Sequence, residues 1–229
     1  MKFAVMQPYL FPYLGYYQLV NAVDKFIFYD DVTFIKGGYI NRNNILSNGK
    51  AQRFTIPVPG MSSNTLINEL SFDKNVKKIL KSIEQSYKKA PYFEHVFPIV
   101  ESVLSDETRN VQHVCSKSIS LVFEYLGIKK EFKLSSELDY NRDLSAADKL
   151  IAMANIVKSN DYINSPGGIE LYEKEFFAAR NVKLSFIKMK EVSYQQGKNE
   201  FVPYLSMIDI LMWNSIEDTK SILNEYEVI

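Results

Sequence analysis

Side chains able to do acid–base or binding chemistry gather at a few places along the chain. Asp30 and Asp31 stand side by side, and either carboxylate could act as a general base or orient an ammonium group or a metal-bound phosphate. Adjacent aspartates also cap loops where strands end. Lys36, Asn41 and Arg42 follow, the last two inside "YINRN". An amide beside a guanidinium fork suits a carboxylate or phosphate, and the same five residues equally suit a hydrogen-bonded turn. Ser165, Gly167 and Gly168, in "SPGG", form either a tight turn or a helix start whose backbone N–H groups approach an anion closely. Gln7 and Tyr9 near the beginning, and Tyr194 and Gln195 near the end, complete the set of candidate binding residues. His95 and His113 lie in helical segments without an acid or nucleophile beside them, and Cys115 falls on an apolar helix face. Neither a catalytic triad nor a Cys/His metal site is expected, and no motif specifies a cofactor.

These residues need elements to hold them. Residues 3–6 form a short apolar run stopped by Gln7-Pro8, as a buried strand would be. Tyr13, Tyr16, Tyr17, Val20 and Val23 recur at helical spacing, which assigns Tyr13, Tyr16 and Tyr17 to a core-facing stripe and leaves Tyr9 as the ligand-facing ring. Residues 26–29 form a second buried strand, so the chain opens with a βαβ unit and a parallel sheet is expected. Residues 54–58 and 67–72 read as extended. A helical insertion follows at about residues 74–128, with amphipathic helices over 75–89 and 111–126, the latter closed by Gly127. Strands over 131–134, 161–164 and 183–187 alternate with helices started by Ser145 and Asp148, over 169–179, and over 201–213. The pattern predicts a single α/β domain over residues 1–229, a mostly parallel sheet flanked by helices. In such sheets ligands bind outside the carboxyl ends of the strands, and Gln7, Asp31, Arg42 and Gly167 are all expected at that rim.

The totals restrict the function. The 27 basic and 27 acidic residues cancel, so no global field gathers polyanions and a nucleic-acid partner is not expected. One cysteine excludes an internal disulfide and points to a reducing cytoplasm. Gln7, Pro8 and Pro12 interrupt the apolar opening, which therefore does not read as an export signal, and no uncharged stretch reaches the ~20 residues of a membrane-spanning helix.

The stretches "MQPYLFPYLGYYQLV", "DKFIFYDDVTFIKGGYINRN", "TIPV", "YKKAPYF", "DYINSPGG" and "YQQ...FVPYLSMIDILMWN" resemble the WbqC-like family across essentially the whole chain. The resemblance implies a place in the synthesis of O-antigen and related surface polysaccharides, and a transferase that attaches an aminoacyl group, glycyl among them, to a nucleotide-linked amino sugar. Its implied partners are that sugar and an activated aminoacyl donor, with an aminoacyl-tRNA as the one nucleic acid in view. On this reading Asp30 or Asp31 is the base, and Asn41, Arg42 and Gln7 bind substrate or developing charge. The strand–proline loop–helix–strand opening is also similar to the Rossmann-like domain of adenylyl-transferring enzymes, which implies a nucleotidyltransferase or ATP-dependent ligase as the alternative. Residues 12–17 keep Gly15 of that motif but neither of its histidines. A noncatalytic sugar-nucleotide-binding protein is the third reading.

Overall fold

The computed structural model describes residues 1–229. The chain opens with β1 (Lys2–Met6), α1 (Leu14–Asn21) and β2 (Lys25–Phe28), then turns through a separate hairpin of β3 (Arg42–Ser47) and β4 (Lys50–Thr55). A helical segment follows, α2 (Lys77–Tyr87), α3 (Phe93–Leu104) and α4 (Val111–Tyr125). The rest alternates: β5 (Glu131–Leu134), α5 (Ala146–Ile156), β6 (Asp161–Asn164), α6 (Lys174–Ala178), β7 (Lys183–Met189), α7 (Met207–Trp213), α8 (Ile216–Leu223) and β8 (Tyr226–Val228).

The sheet order is β5-β2-β1-β6-β7-β8, parallel throughout except for the antiparallel edge strand β8. This is a Rossmann-like α/β arrangement, with the helical insertion in mid-chain. Side chains alternate across the sheet as a period of two requires. Phe3, Val5, Ile27, Tyr162, Leu184 and Phe186 face a layer built on α5 and α6. Ala4, Phe26, Phe28 and Ile163 face the larger layer, to which α1, α2, α3, α4 and α7 all contribute.

That larger layer explains the ring-rich opening. Tyr9 packs on Tyr16, Tyr16 on Phe26, Phe26 on Phe28, and Phe28 on Phe132, with centroids 5.5, 5.5, 5.2 and 5.3 Å apart. Phe123 closes the series between Phe132 and Tyr17. Tilted and offset pairs of this kind each contribute about 0.5–1.5 kcal/mol beyond burial. Tyr16 and Tyr17 are buried as their spacing predicts, and their hydroxyls donate to the Gln7 and Ser118 carbonyls. Tyr13 departs from the predicted stripe. It precedes the first turn of α1 and is only half-buried.

Several elements differ from expectation. The hairpin replaces the extended segment predicted for 54–58; its turn is Asn48-Gly49, both at positive φ. Residues 67–72 contain a short 3-10 turn, Ile67–Glu69. The helix predicted over 169–179 is reduced to α6, because a 3-10 turn at Pro166–Gly168 and a further turn precede it. The helix predicted over 201–213 begins only at Met207, where Ser206 caps it by accepting from the Ile208 N–H; Pro203 lies in the non-helical run before it. Helices α3 and α8 and strand β8 complete the list of elements that the sequence pattern left unmarked.

A buried carboxylate ties the C-terminal part to the helical layer. Asp209 is fully buried and accepts from the Tyr87 hydroxyl at 2.8 Å, the Tyr194 hydroxyl at 2.7 Å and the Gln196 side chain at 2.8 Å. The Tyr87 oxygen in turn accepts from the Leu46 N–H of the hairpin. Burial raises the Asp209 pKa above its ordinary value, outweighing the hydrogen bonds from Tyr194, Tyr87 and Gln196 that favour the charged form. Between pH ~3.8 and its raised pKa the folded protein therefore holds a proton there that the unfolded chain has released, so this group stabilises the fold more below pH ~3.8 than above its raised pKa. The stability difference between wild type and Asp209→Asn, measured by urea unfolding, should shrink as pH rises through that window. Asp209→Ala, which strands all three donors, should cost about 3 kcal/mol at neutral pH.

Candidate functional site

Because β5, β2, β1, β6 and β7 run parallel, their carboxyl ends share one edge. Two clefts open along it. The first, of about 860 Å³, is lined by Asp31, Asn68, Glu69, Ser136, Arg142 and Lys149 among others. The second, of about 670 Å³, lies between the start of α1 and the segments after β7. Either volume suits a small organic ligand.

Asp30 and Asp31 leave the end of β2 beside the end of β5, and the segment after β5 folds onto them. Asp30 is 1% exposed; its carboxylate accepts from the Ser135 hydroxyl and the Ser136 N–H at 3.0 Å and from the Ser136 hydroxyl at 2.7 Å. The Ser135 oxygen takes the Asp30 N–H at 3.0 Å and is also bonded to Asp31, so its single proton serves one carboxylate at a time. Asp31 further accepts from the Tyr140 hydroxyl, 2.8 and 2.9 Å from its two oxygens, and from Arg142 Nε at 3.0 Å.

Arg142 does more than pair. Its remaining nitrogens donate to the Tyr140, Leu138 and Ser136 carbonyls at 2.9–3.2 Å, and its guanidinium lies over the Tyr140 ring with the carbon 4.6 Å from the centroid. The loop that carries Ser136 is thus wound around one cation. Burial, then the bond to Asp31, raises the Tyr140 phenol above its ordinary value. Tyr29, at the end of β2, is pushed up to about 12, by burial first and the Asp31 charge second. Both phenols are neutral donors or acceptors over the physiological range. Lys149, half-buried on α5, also lines the cleft. It is absent from the molecule's ion pairs.

The other candidate residues are spread more widely. Gln7 lies at the end of β1, its buried Oε1 without a hydrogen-bond partner. Ser165, Gly167 and Gly168 follow β6; a Cβ on Gly168 would collide with the Asn164 side-chain amide, which packs against this glycine. Asn41 is buried and donates to the Ile56 carbonyl, at the base of the hairpin. Arg42 Nε donates to the Gly38 carbonyl of the preceding loop, where Lys36 is exposed. Tyr9 packs in the ring series, and Gln195 donates to the Gly197 carbonyl. Tyr194 lines the second cleft. Of the residues singled out from the sequence, Asp31 alone lines the first cleft, with Asp30 directly behind it.

The sequence pattern does not mark Ser135, Ser136, Tyr140, Arg142 or Lys149. The signal available for all but Lys149, which lies on α5, is their position just after β5, at the rim where a parallel sheet collects its ligands. No group of three or more His, Cys, Asp or Glu residues is arranged to hold a metal ion, and no helix is long and apolar enough to cross a membrane.

A family model described as the WbqC-like protein family matches residues 7–221. Among curated proteins the chain is similar to the uncharacterized protein Rv1507c of Mycobacterium tuberculosis (strain ATCC 25618 / H37Rv), 24% identical over 215 residues that cover 92% of each chain. No solved structure matches.

The bonding pattern separates scaffold from ligand contact. Asp31→Ala leaves the Tyr140 hydroxyl and Arg142 Nε without their acceptor and should cost about 2–3 kcal/mol, a drop in melting temperature of roughly 5–10 °C for a chain of this size. Lys149→Ala should stay within about 0.5 kcal/mol of wild type. Thermal and urea unfolding of the two variants side by side check both.

Proposed function

The chain belongs to the WbqC-like protein family, and on that premise we propose that it is a transferase joining an aminoacyl group, glycyl in the simplest case, to the amino group of a nucleotide-linked sugar. The setting is surface-polysaccharide assembly. The observation that carries the reading is the first cleft: Arg142 and Lys149 meet a hydroxyl backed by a carboxylate pair within one concave surface. Two cations there suit a sugar nucleotide's diphosphate, and the hydroxyl–carboxylate couple suits proton removal from an amine.

The reaction forms a C–N bond, breaks the bond from the acyl carbon to its leaving group, and sheds one proton from nitrogen. Asp31 is a poor direct acceptor of that proton, since Ser135, Tyr140 and Arg142 already donate to it. Asp30 is reached from the cleft through Ser136, which lines it and donates to Asp30 at 2.7 Å. As the amine attacks, its proton passes to the Ser136 oxygen while the serine proton moves to Asp30.

Isothermal titration with UDP-, dTDP- and GDP-linked amino sugars tests the binding half. At least one should bind, with affinity about tenfold weaker in Lys149→Ala, by loss of one charge-assisted contact worth ~1.5 kcal/mol. Mass spectrometry of a reaction with a preformed aminoacyl donor should show the amide, and Ser136→Ala should slow it by about 10²-fold or more. Pyrophosphate release from ATP and free amino acid, without such a donor, would replace this reading by a ligase. Tight sugar-nucleotide binding with no product from any donor would replace it by a binding protein.

A further inference from the structure

The second cleft differs in character from the first. Nine of its 13 lining residues are hydrophobic, and four of the lining side chains are aromatic, Tyr13, Tyr194, Phe201 and Tyr204. Tyr194 is fixed, because its hydroxyl is held by buried Asp209 at 2.7 Å and its ring meets Phe201 edge-on with centroids 5.2 Å apart. Tyr13 lies against the first turn of α1, where a Cβ on Gly15 would stand 2.6 Å from its ring, so glycine is what allows the ring to occupy that place. Tyr204 is 69% exposed and sits at φ 57°, in the left-handed region that favours glycine. A large ring displayed to solvent at the mouth of a cleft, on a strained backbone, is not explained by packing. Glu191 and Ser193, both exposed, supply polar groups to the same cleft.

We propose that this second cleft binds adenosine, as the carrier of the activated aminoacyl group. Aromatic walls accept the face of a planar base, and stacking of this kind is a main source of affinity for unpaired nucleosides. A carboxylate such as Glu191 accepts from the vicinal hydroxyls of a ribose, as acidic residues do in dinucleotide folds. The choice of adenosine rests on the transferase reading. Amide formation needs two substrates; the charged cleft suits the diphosphate, and the aromatic one remains for the acyl donor. Aminoacyl groups activated through ATP are carried on adenosine, first as the mixed anhydride with AMP and, after transfer to a tRNA, as the ester on its terminal adenosine. The two sources share the nucleoside that the cleft would hold.

Titration of the full chain with AMP, 2′-deoxy-AMP, UMP and an aminoacyl-sulfamoyl adenosine tests this without any sugar or turnover. AMP and the sulfamate should bind, and UMP more weakly. Tyr204→Gly, which removes the ring and relieves the backbone, should weaken AMP about tenfold without lowering the melting temperature. Gly15→Ala, which displaces Tyr13, should weaken it as well. Glu191→Gln should erase the preference for AMP over its 2′-deoxy form. A CCA-ended RNA minihelix that competes with AMP far better than adenosine alone assigns the donor to tRNA; the sulfamate competing better assigns it to the adenylate. Absence of AMP binding, or binding unaffected by Tyr204→Gly and Glu191→Gln, overturns the inference even if sugar nucleotides still bind in a Lys149-dependent way. Loss of sugar-nucleotide affinity in Tyr204→Gly overturns it too, by giving this cleft to the other substrate. Adenosine binding as described, with no sugar nucleotide bound anywhere, removes the transferase reading and leaves the cleft a nucleoside site.

Discussion

The architecture depends on one left-handed residue. Phe11, in the middle of the opening loop, sits at φ 40° with its ring fully buried, and no glycine is there to make that conformation easy. Its backbone is held from three directions. The N–H donates to Ser118 of α4 at 3.0 Å, while the carbonyl accepts from Asn43 of the hairpin at 2.6 Å and from Ser206, the cap of α7, at 2.7 Å. Three groups that are distant in sequence thus converge on a single residue, and their hydrogen bonds offset a strain of order 1–2 kcal/mol. Neighbouring bonds extend the junction: Leu10 N–H to the Ile40 carbonyl, Met207 N–H to the Pro12 carbonyl and Ser206 N–H to the Asn44 carbonyl. The turn at Phe11 is therefore where sheet, hairpin, helical insertion and C-terminal helix are joined, and it sets where α1 begins and where Tyr13 lies.

The two clefts are built by a shared device. In each, a carboxylate with filled acceptor positions fixes a wall: Asp31 holds the loop after β5 through Tyr140 and Arg142, and Asp209 holds the segment after β7 through Tyr194 and Gln196. Gln196 passes the constraint on, since it also exchanges hydrogen bonds with both the N–H and the carbonyl of Val202. The loops that would otherwise be most mobile are those at the ends of strands, and they are the ones tied to buried carboxyl groups. A carboxylate so placed is costly to desolvate unless it is fully bonded, which is why hydroxyls and amides crowd around both aspartates.

How much of this was legible in the sequence follows from the range of each interaction. The βαβ opening, the strands at 131–134, 161–164 and 183–187, and the Ser145 cap, whose hydroxyl accepts from the Asp148 N–H at 3.2 Å, are local patterns and read directly. The hairpin carried a signal too. Asn48-Gly49 is the dipeptide that a tight two-residue turn prefers, but the polar run on either side obscured the alternation. Asn41 reads as an anion ligand because an amide's partners are invisible in sequence; its actual acceptor, the Ile56 carbonyl, is 15 residues away. The same blindness hid Ser136, Tyr140 and Arg142, which meet Asp30 and Asp31 across more than a hundred residues.

The way the first cleft is bonded constrains any chemistry assigned to it. Asp30 is buried beyond the reach of a substrate, and Asp31 exposes only 5% of its side chain behind Arg142. A proton can enter this pair only through a hydroxyl that touches both the carboxylates and the cleft. Ser135 bridges the aspartates but is itself buried, whereas Ser136 is half-exposed and lines the cleft. In the proposed reaction the adjacent aspartates that draw attention in the sequence therefore act at one remove: they fix the loop and take up the proton, and Ser136 is the group placed to meet the amine. A role for Asp31 in direct contact with substrate would first require Arg142 to swing away, breaking its bonds to three backbone carbonyls of the same loop.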